Sequence, residues 1–263
     1  MDEKMSSFSI VIVVKNAAAT LPRLLRSLDG LSNDVVVVDT GSTDATRELA
    51  LMFTDQVHTA PWEGYGRTKQ KAALLARNDW VLSLDADEEV TEELRSSLRN
   101  WKPGAPNQVY QLHWLNFVGG RPIRYGLWSN DWKNRLFHRK TVNWNDAEAH
   151  EDLVAAVPLV QSKLSGRLHH YSFNNLFNLT EKHIHYAWLM GNHMQKKGKR
   201  PRMLKMVLSP VWIFLKGYLF RLGFLDGLAG FHIARTTAYY AYLKNLVLWE
   251  QYQAAESAGT QGS

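Results

Sequence analysis

Three short apolar runs, two of which end in an aspartate, constrain the fold of this chain more than any other feature. Ile10–Val14 is β-branched and uninterrupted, Val35–Val38 ends at Asp39, and Trp80–Leu84 ends at Asp85. Runs of this length read as strands covered on both faces, the habit of a parallel sheet. Between the first two, Leu21, Leu24, Leu25 and Leu28 recur at helical spacing, with Pro22 in the first turn and Gly30 just past the end. After Asp39, the residues Gly41, Ser42, Thr43 and Asp44 supply a turn and helix-cap chemistry. The alternation is a repeated βαβ. It predicts an α/β fold with an open, mostly parallel sheet flanked by helices, and ligands outside the carboxyl ends of the strands.

Beyond residue 100 the pattern changes. Trp101, Trp114, Trp128, Trp132 and Trp144 are half of the ten tryptophans, and charges of both signs interrupt the apolar pattern. This reads as strands and functional loops. Residues 176–195 read as helix. The expected organisation is a nucleotide-binding and catalytic domain over 1–175, a basic helical region over 176–255, and a flexible tail over 256–263.

Charge follows the same division. The chain carries a formal +6, yet residues 1–181 hold 20 Lys or Arg against 22 Asp or Glu, and residues 182–263 hold 11 against 3. No acidic residue occurs between Lys182 and Leu225. Such an asymmetry calls for an anionic partner, nucleic acid or a membrane surface. Residues 203–225 favour the membrane. Within them Met206–Leu215 is the longest uncharged stretch, and it falls short of the roughly 20 residues of a bilayer span. On a helical wheel Arg202, Lys205, Ser209 and Lys216 share one side within about 60°, with apolar residues on most other faces. This is the pattern of a helix lying in a membrane interface; a core helix packed on the sheet is the alternative, and Ser209-Pro210 is expected to cap or kink it. The absence of Cys excludes disulfides, thiolate zinc sites and a cysteine nucleophile. Met1–Ile10, which begins with Asp2 and Glu3, does not read as a secretory signal. A cytoplasmic location is the expectation.

Asp85-Ala86-Asp87 follows a strand at its carboxyl end, where two carboxylates can reach one hard cation. Mg²⁺ or Mn²⁺ takes such oxygen ligands and can hold a diphosphate at the same time. Asp39 at the earlier strand end is placed to accept from a ribose hydroxyl or a base N–H. Asp44 and Ser42 read as turn and cap residues. His169, His170, His183, His185 and His193 have no spacing that makes a zinc site.

The segments Ser9–Asn16, Val36–Thr46, Asn78–Glu88 and His150-Glu151 together resemble family 2 glycosyltransferases of the GT-A (Rossmann-like) fold, and more narrowly the bacterial lipopolysaccharide inner-core β-1,4-glucosyltransferases. The first three segments cover about the first third of the chain in register. The resemblance implies a nucleotide-sugar donor, UDP-linked, with Asp39 on the uridine and Lys15 and Asn16 flanking the nucleotide. It makes Asp87 the principal metal ligand, with Asp85 beside ribose, diphosphate or metal. Many relatives have two aspartates after the second strand, where this chain has Asp39-Thr40. Many also have an asparagine where this chain reads Gly64–Gln70, so Arg67, Lys69 or Gln70 takes that donor-binding role.

An inverting transfer also needs a base for the acceptor hydroxyl. Glu151 is the candidate, Asp152 the runner-up, and His150 can orient the base or a phosphate. Trp114, Trp128 and Trp132 offer flat faces to a pyranose. Arg121, Arg124, Lys133 and Arg135 are candidates for acceptor phosphates. Trp80 and Trp101 read as core.

The reading that results is a metal-dependent, inverting hexosyltransferase. It moves a sugar, glucose on the resemblance, from UDP to a heptose-bearing lipid-linked core saccharide. It works peripherally on the inner membrane and takes no nucleic acid. Two alternatives stand beside it: a polyprenyl-phosphate glycosyltransferase of the same fold, and a non-enzymatic basic protein of the membrane surface.

Overall fold

The computed structural model describes residues 8–146 and 151–260. The first hundred residues alternate β1 (Phe8–Val14), α1 (Leu21–Ser27), β2 (Val35–Asp39), α2 (Thr46–Leu51), β3 (Val57–Thr59), α3 (Tyr65–Leu74), β4 (Trp80–Asp85), β5 (Glu88–Val90) and α4 (Glu92–Arg99). Strands β6 (Gln108–Val118), β7 (Arg121–Pro122), β8 (Asp131–His138), β9 (Val142–Trp144), β10 (Leu153–Ala155) and β11 (Val160–Phe173) follow. Helices α5 (Leu176–Lys196), α6 (Met203–Leu215) and α7 (Gly227–Thr260) close the chain.

Among the described residues the main sheet runs β3-β2-β1-β4-β8-β6-β11-β5, with β7 paired to β6. β1, β2, β3 and β4 pair in parallel. From β4 outward the sheet turns antiparallel, through β4–β8, β6–β8 and β5–β11. The sheet is therefore mixed, which corrects the expectation of a mostly parallel one. The reason lies in the Trp-rich segment, whose long strands return without a helical crossover between them.

The parallel half is buried as its β-branched composition requires. Ile10, Ile12, Val36, Val37, Leu82 and Leu84 are fully buried, each stabilising the fold by about 1.5–3 kcal/mol. Trp80 and Trp101 pack edge-on at 5.1 Å among Phe8 and Tyr110, the core role expected of them. Buried Asp34 ties three segments together: it accepts from the hydroxyl of Ser9, the amide of Gln56 and, at 2.7 Å, the backbone N–H of Arg77. Gly166 makes β11 possible as drawn. Its φ is +94°, and a Cβ there would lie 2.2 Å from the backbone nitrogen of Leu94 at the start of α4.

The chain clusters into two compact units, Met1–Trp114 with Asp131–His170, and Leu115–Asn130 with Tyr171–Ser263. This differs from a single cut at 175. Residues 115–130 group with the C-terminal helices because Val118 and Ile123 share an apolar cluster with Leu179, Ala229 and Ile233. In this second unit α6 buries Met206, while Met203, Leu204, Val207, Leu208, Val211 and Trp212 are exposed. That exposure is not the packing of a core helix. Pro210 sits inside α6 and does not end it. The segment Met203–Phe220 has a mean hydropathy of 1.4 over 18 residues and is, by length and composition, apolar enough to cross a membrane.

Candidate active site

The parallel register brings the two strand-end aspartates to within one residue of each other along β1. Val14 pairs with Asp39 and Val13 with Asp85, so the carboxylates leave the sheet on either side of β1. The strand order reverses here, because the chain moves outward from β1 to β2 and β3 before returning to β4. Such a switch point is where open α/β sheets bind ligands.

On the Asp39 side the loops brace one another. Asp39 Oδ1 accepts from Ser42 N at 2.9 Å and Ser42 Oγ at 2.7 Å. Ser42 Oγ in turn accepts from Asn16 N at 2.9 Å, and Asn16 Oδ1 accepts from Thr43 N at 2.8 Å. Asn16 holds a left-handed φ of +49° and Gly41 one of +96°, so this turn demands residues that tolerate αL. The contacts give Asn16 and Ser42 a bracing role. Lys15 is exposed beside them. Asp44, one residue before the N-cap Ala45 of α2, braces the turn by accepting from Thr46 N and Ala18 N at 3.1 Å.

On the Asp85 side an alternating chain of charges crosses the site. Lys69 Nζ lies 2.6 Å from Glu151 Oε1 and 2.8 Å from Asp85 Oδ1. Arg135 donates from the same terminal nitrogen to Asp85 Oδ2 and, at 2.6 Å, to Glu88 Oε1. Glu88 also accepts from Trp114 Nε1 and from Asp85 N, both at 2.8 Å. Four elements and one loop supply these groups: α3, β4, β5, β8 and the segment before β10. Lys69 and Arg135 are 5% and 4% exposed, so their charges are held by carboxylates and not by water.

A β-bulge aims Arg135. Tyr110 pairs with Leu136 and Gln111 with Asn134, which leaves Arg135 as the extra residue of β8. The bulge changes the strand's phase and turns the guanidinium to Trp114, 5.2 Å from its ring.

The protonation states follow from this packing. Burial pulls the Lys69 ammonium down, but Asp85 and Glu151 outweigh it and hold it above the usual lysine value. Burial pushes Asp85 up, yet Arg135 and Lys69 hold its carboxyl well below the ordinary range. Burial pushes Glu88 up to about 8 against the pull of Arg135. Burial pushes His170 below the usual histidine value against Asp87 and Asp85, which keeps the imidazole neutral.

The two aspartates of the Asp85-Ala86-Asp87 turn have different surroundings. Both oxygens of Asp85 face cations, so a metal would have to displace Lys69 or Arg135 to reach it. Asp87, about one-third exposed, has its Oδ2 3.6 Å from His170 Nε2. A carboxylate oxygen and a neutral imidazole at that separation fit one divalent cation, whose bonds to such ligands are about 2 Å long. Among the described residues no group of three or more His, Cys, Asp or Glu could cage a metal unaided. The remaining ligands would be water and substrate oxygens. His170 was missed by spacing rules; the register that pairs it with Glu88 brings it here.

Of the three open choices on α3, the fold brings Lys69 into the charge chain. Arg67 is exposed and reaches Asp146 at 3.5 Å. Gln70 braces β9 through Trp144 N and Asn143 Oδ1, both at 2.9 Å. Glu151 and Asp152 also separate. Glu151 sits on Lys69, whereas exposed Asp152 accepts from Leu153 N at 2.8 Å and Asn134 Nδ2 at 3.3 Å. His150 lies outside the described residues.

The aromatic candidates divide too. Trp114 stacks on His170 at 3.8 Å. Trp132 stacks on His113 at 4.3 Å. Trp128 belongs to the second unit, where it stacks on Phe173 at 5.6 Å, a packing role.

The chain is 29% identical over 257 residues to the lipopolysaccharide core biosynthesis glycosyltransferase LpsC of Rhizobium meliloti, covering 93% of this chain and 92% of LpsC. It is 28% identical over 257 residues to an uncharacterized glycosyltransferase of Rickettsia bellii, covering 93% and 85%. Among solved structures, S. aureus TarS 1–349 in complex with UDP aligns over 98% of this chain and 92% of that chain, at a TM-score of 0.44 and 16% identity. The sequence profile of Glycosyl transferase family 2 matches residues 9–155, more than half of the chain, and the protein belongs to that family.

Proposed function

We propose that this glycosyltransferase transfers a hexose, glucose in the first instance, from a UDP-sugar to a hydroxyl of a lipid-linked lipopolysaccharide-core saccharide, heptose being the expected acceptor sugar, with inversion and with a divalent cation. The observation that carries the reading is the Glu151–Lys69–Asp85–Arg135 chain at the carboxyl ends of the parallel strands, beside the Asp87–His170 pair. The function of LpsC supports the acceptor class.

In this reading Asp39 receives the nucleotide, with Lys15 and Asn16 at its flank. Asp39 Oδ2 accepts no hydrogen bond from the described residues, which leaves it for a base or ribose donor. Asp87 and His170 would hold Mg²⁺ or Mn²⁺, which would supply positive charge against the leaving diphosphate. Asp85 fixes Lys69 and Arg135 so that their charges face the donor. Glu151 takes the proton from the attacking hydroxyl, and Lys69 sets its position. Trp132 receives the acceptor sugar.

The enzyme works peripherally on the cytoplasmic side of the inner membrane. The exposed apolar side of α6 supports this, since an outward arc of about 180° is apolar and Lys205 lies at its edge.

The test is a panel of UDP-sugars with Mn²⁺ or Mg²⁺, scored by UDP release, with and without heptose-bearing core glycolipid. UDP release from one sugar, accelerated by the glycolipid and abolished by chelator, is the expected result. No release from any sugar would overturn the reading.

A further inference from the structure

The four basic residues expected to meet acceptor phosphates have different surroundings. Arg135 is held by Asp85 and Glu88, and Lys133 lies 2.9 Å from Asp131. Arg121 and Arg124 belong to the second unit. Two other cations lack an acidic partner among the described residues: Lys163 and Arg167, both exposed on β11.

Both reach the same aromatic pair. Lys163 Nζ lies 4.4 Å from the ring centre of Trp132, and Arg167 NH1 is 2.9 Å from His113 Nε2. His113 and Trp132 are direct register partners on β6 and β8, stacked at 4.3 Å with 20° between their planes. Residues 163 and 167 fall on one side of their strand, as an even spacing requires.

This cluster is near the candidate base. Trp132 and Asn134 are two residues apart on β8, so they share a face about 7 Å apart. The Asn134 amide reaches Asp152, which adjoins Glu151. All of these residues lie in the first unit.

We propose that Lys163, Arg167, His113 and Trp132 form an acceptor subsite for a sugar that carries an anionic group, a phosphate or a carboxylate. This rests on the glycosyltransferase site above and names the class of its acceptor. The aromatic pair packs on the apolar face of the ring. The guanidinium and ammonium bind the anion, and Arg167 offers the planar fork that matches a phosphate or carboxylate. Lys163 already lies over Trp132 and Arg167 is hydrogen-bonded to His113, so little conformational freedom is lost on binding.

The experiment titrates the full chain with glucose 6-phosphate, glucuronate and glucose, reading tryptophan fluorescence. Both anions should bind at least 10-fold more tightly than glucose, and the stronger of the two identifies the anion. The double variant Lys163→Met, Arg167→Met keeps apolar stems on the aromatic pair and should lose that preference at least 10-fold with an unchanged melting temperature. The proposal is overturned by equal binding of glucose, by an anion preference that survives in the double variant, or by no binding of either anion. None of these readings needs turnover, so a silent UDP-sugar panel and a failed subsite are separate outcomes.

Discussion

The Lys69 ammonium lies 2.6 Å from Glu151, although 82 positions separate the two residues. Lys69 also lies 2.8 Å from Asp85, so one buried cation links the candidate base to the carboxylate at the end of β4. Lys69→Met leaves both acids facing an apolar side chain. The expected result is a fall of at least 100-fold in UDP release and a loss of about 3–5 kcal/mol in stability, the cost of breaking a buried pair. Urea denaturation together with the UDP assay checks both. A variant of wild-type activity would remove Lys69 from the site.

Asp87→Ala should end cation-dependent turnover and leave the melting temperature near wild type, because Asp87 is about one-third exposed in the turn between β4 and β5. His170→Ala should raise the Mn²⁺ concentration needed for half-maximal rate by about 10–100-fold, the range for weakened ligand sets. Cation titrations of UDP release measure both. An unchanged cation dependence in either variant contradicts that residue's part in the pair.

Glu151→Gln distinguishes two acceptor chemistries. Removing a general base from transfer to a hydroxyl should lower the rate by about 10²–10⁴-fold. A phosphate acceptor is already nucleophilic and needs no base. Full activity of the variant with polyprenyl phosphate would therefore favour the lipid-phosphate reading over the saccharide one.

Asp34 ties stability to pH. Burial raises its pKa, but hydrogen bonds from Ser9, Gln56 and Arg77 outweigh it and the net shift is downward. A depressed carboxyl stabilises the fold above its unfolded value of about 3.9, and that stability is lost as pH falls towards the folded value. Asp34→Asn should cost about 1–3 kcal/mol at pH 6 and flatten the acid limb below pH 4. Urea midpoints at pH 6 and pH 3.5 decide it; parallel acid limbs in the two proteins would contradict the assignment.

The exposed side of α6 predicts vesicle binding. Val207→Glu with Val211→Glu should reduce sedimentation with phosphatidylglycerol vesicles at least 10-fold, because two charges would enter the apolar face. Both positions are exposed, so the fold should tolerate the change. Undiminished sedimentation would move the membrane contact to another surface.

Much of the parallel half was legible in the chain. β-branched runs ending in Asp39 and Asp85, with helical spacing between them, determine buried strands and crossovers because burial on both faces selects that composition. The same local logic identified Asp44 as a turn residue and Trp80 and Trp101 as core. The antiparallel half was not legible, since strand direction depends on which neighbour a strand finds and not on its own pattern.

Side-chain partnership was the part that only tertiary structure decided. Nothing local distinguishes Lys69 from Arg67 and Gln70, or His170 from His169. The helix phase of α3 turns Lys69 to Asp85, and the pairing of β11 with β5 carries His170 to Asp87. Arg135 reaches two carboxylates because a bulge, an event between two strands, shifts β8 by one residue. The sequence by itself determined which segments form strands and where their acids stand, through periodicity and turn chemistry. The tertiary structure decided which charges neutralise which, because buried ions must find partners and those partners come from distant parts of the chain.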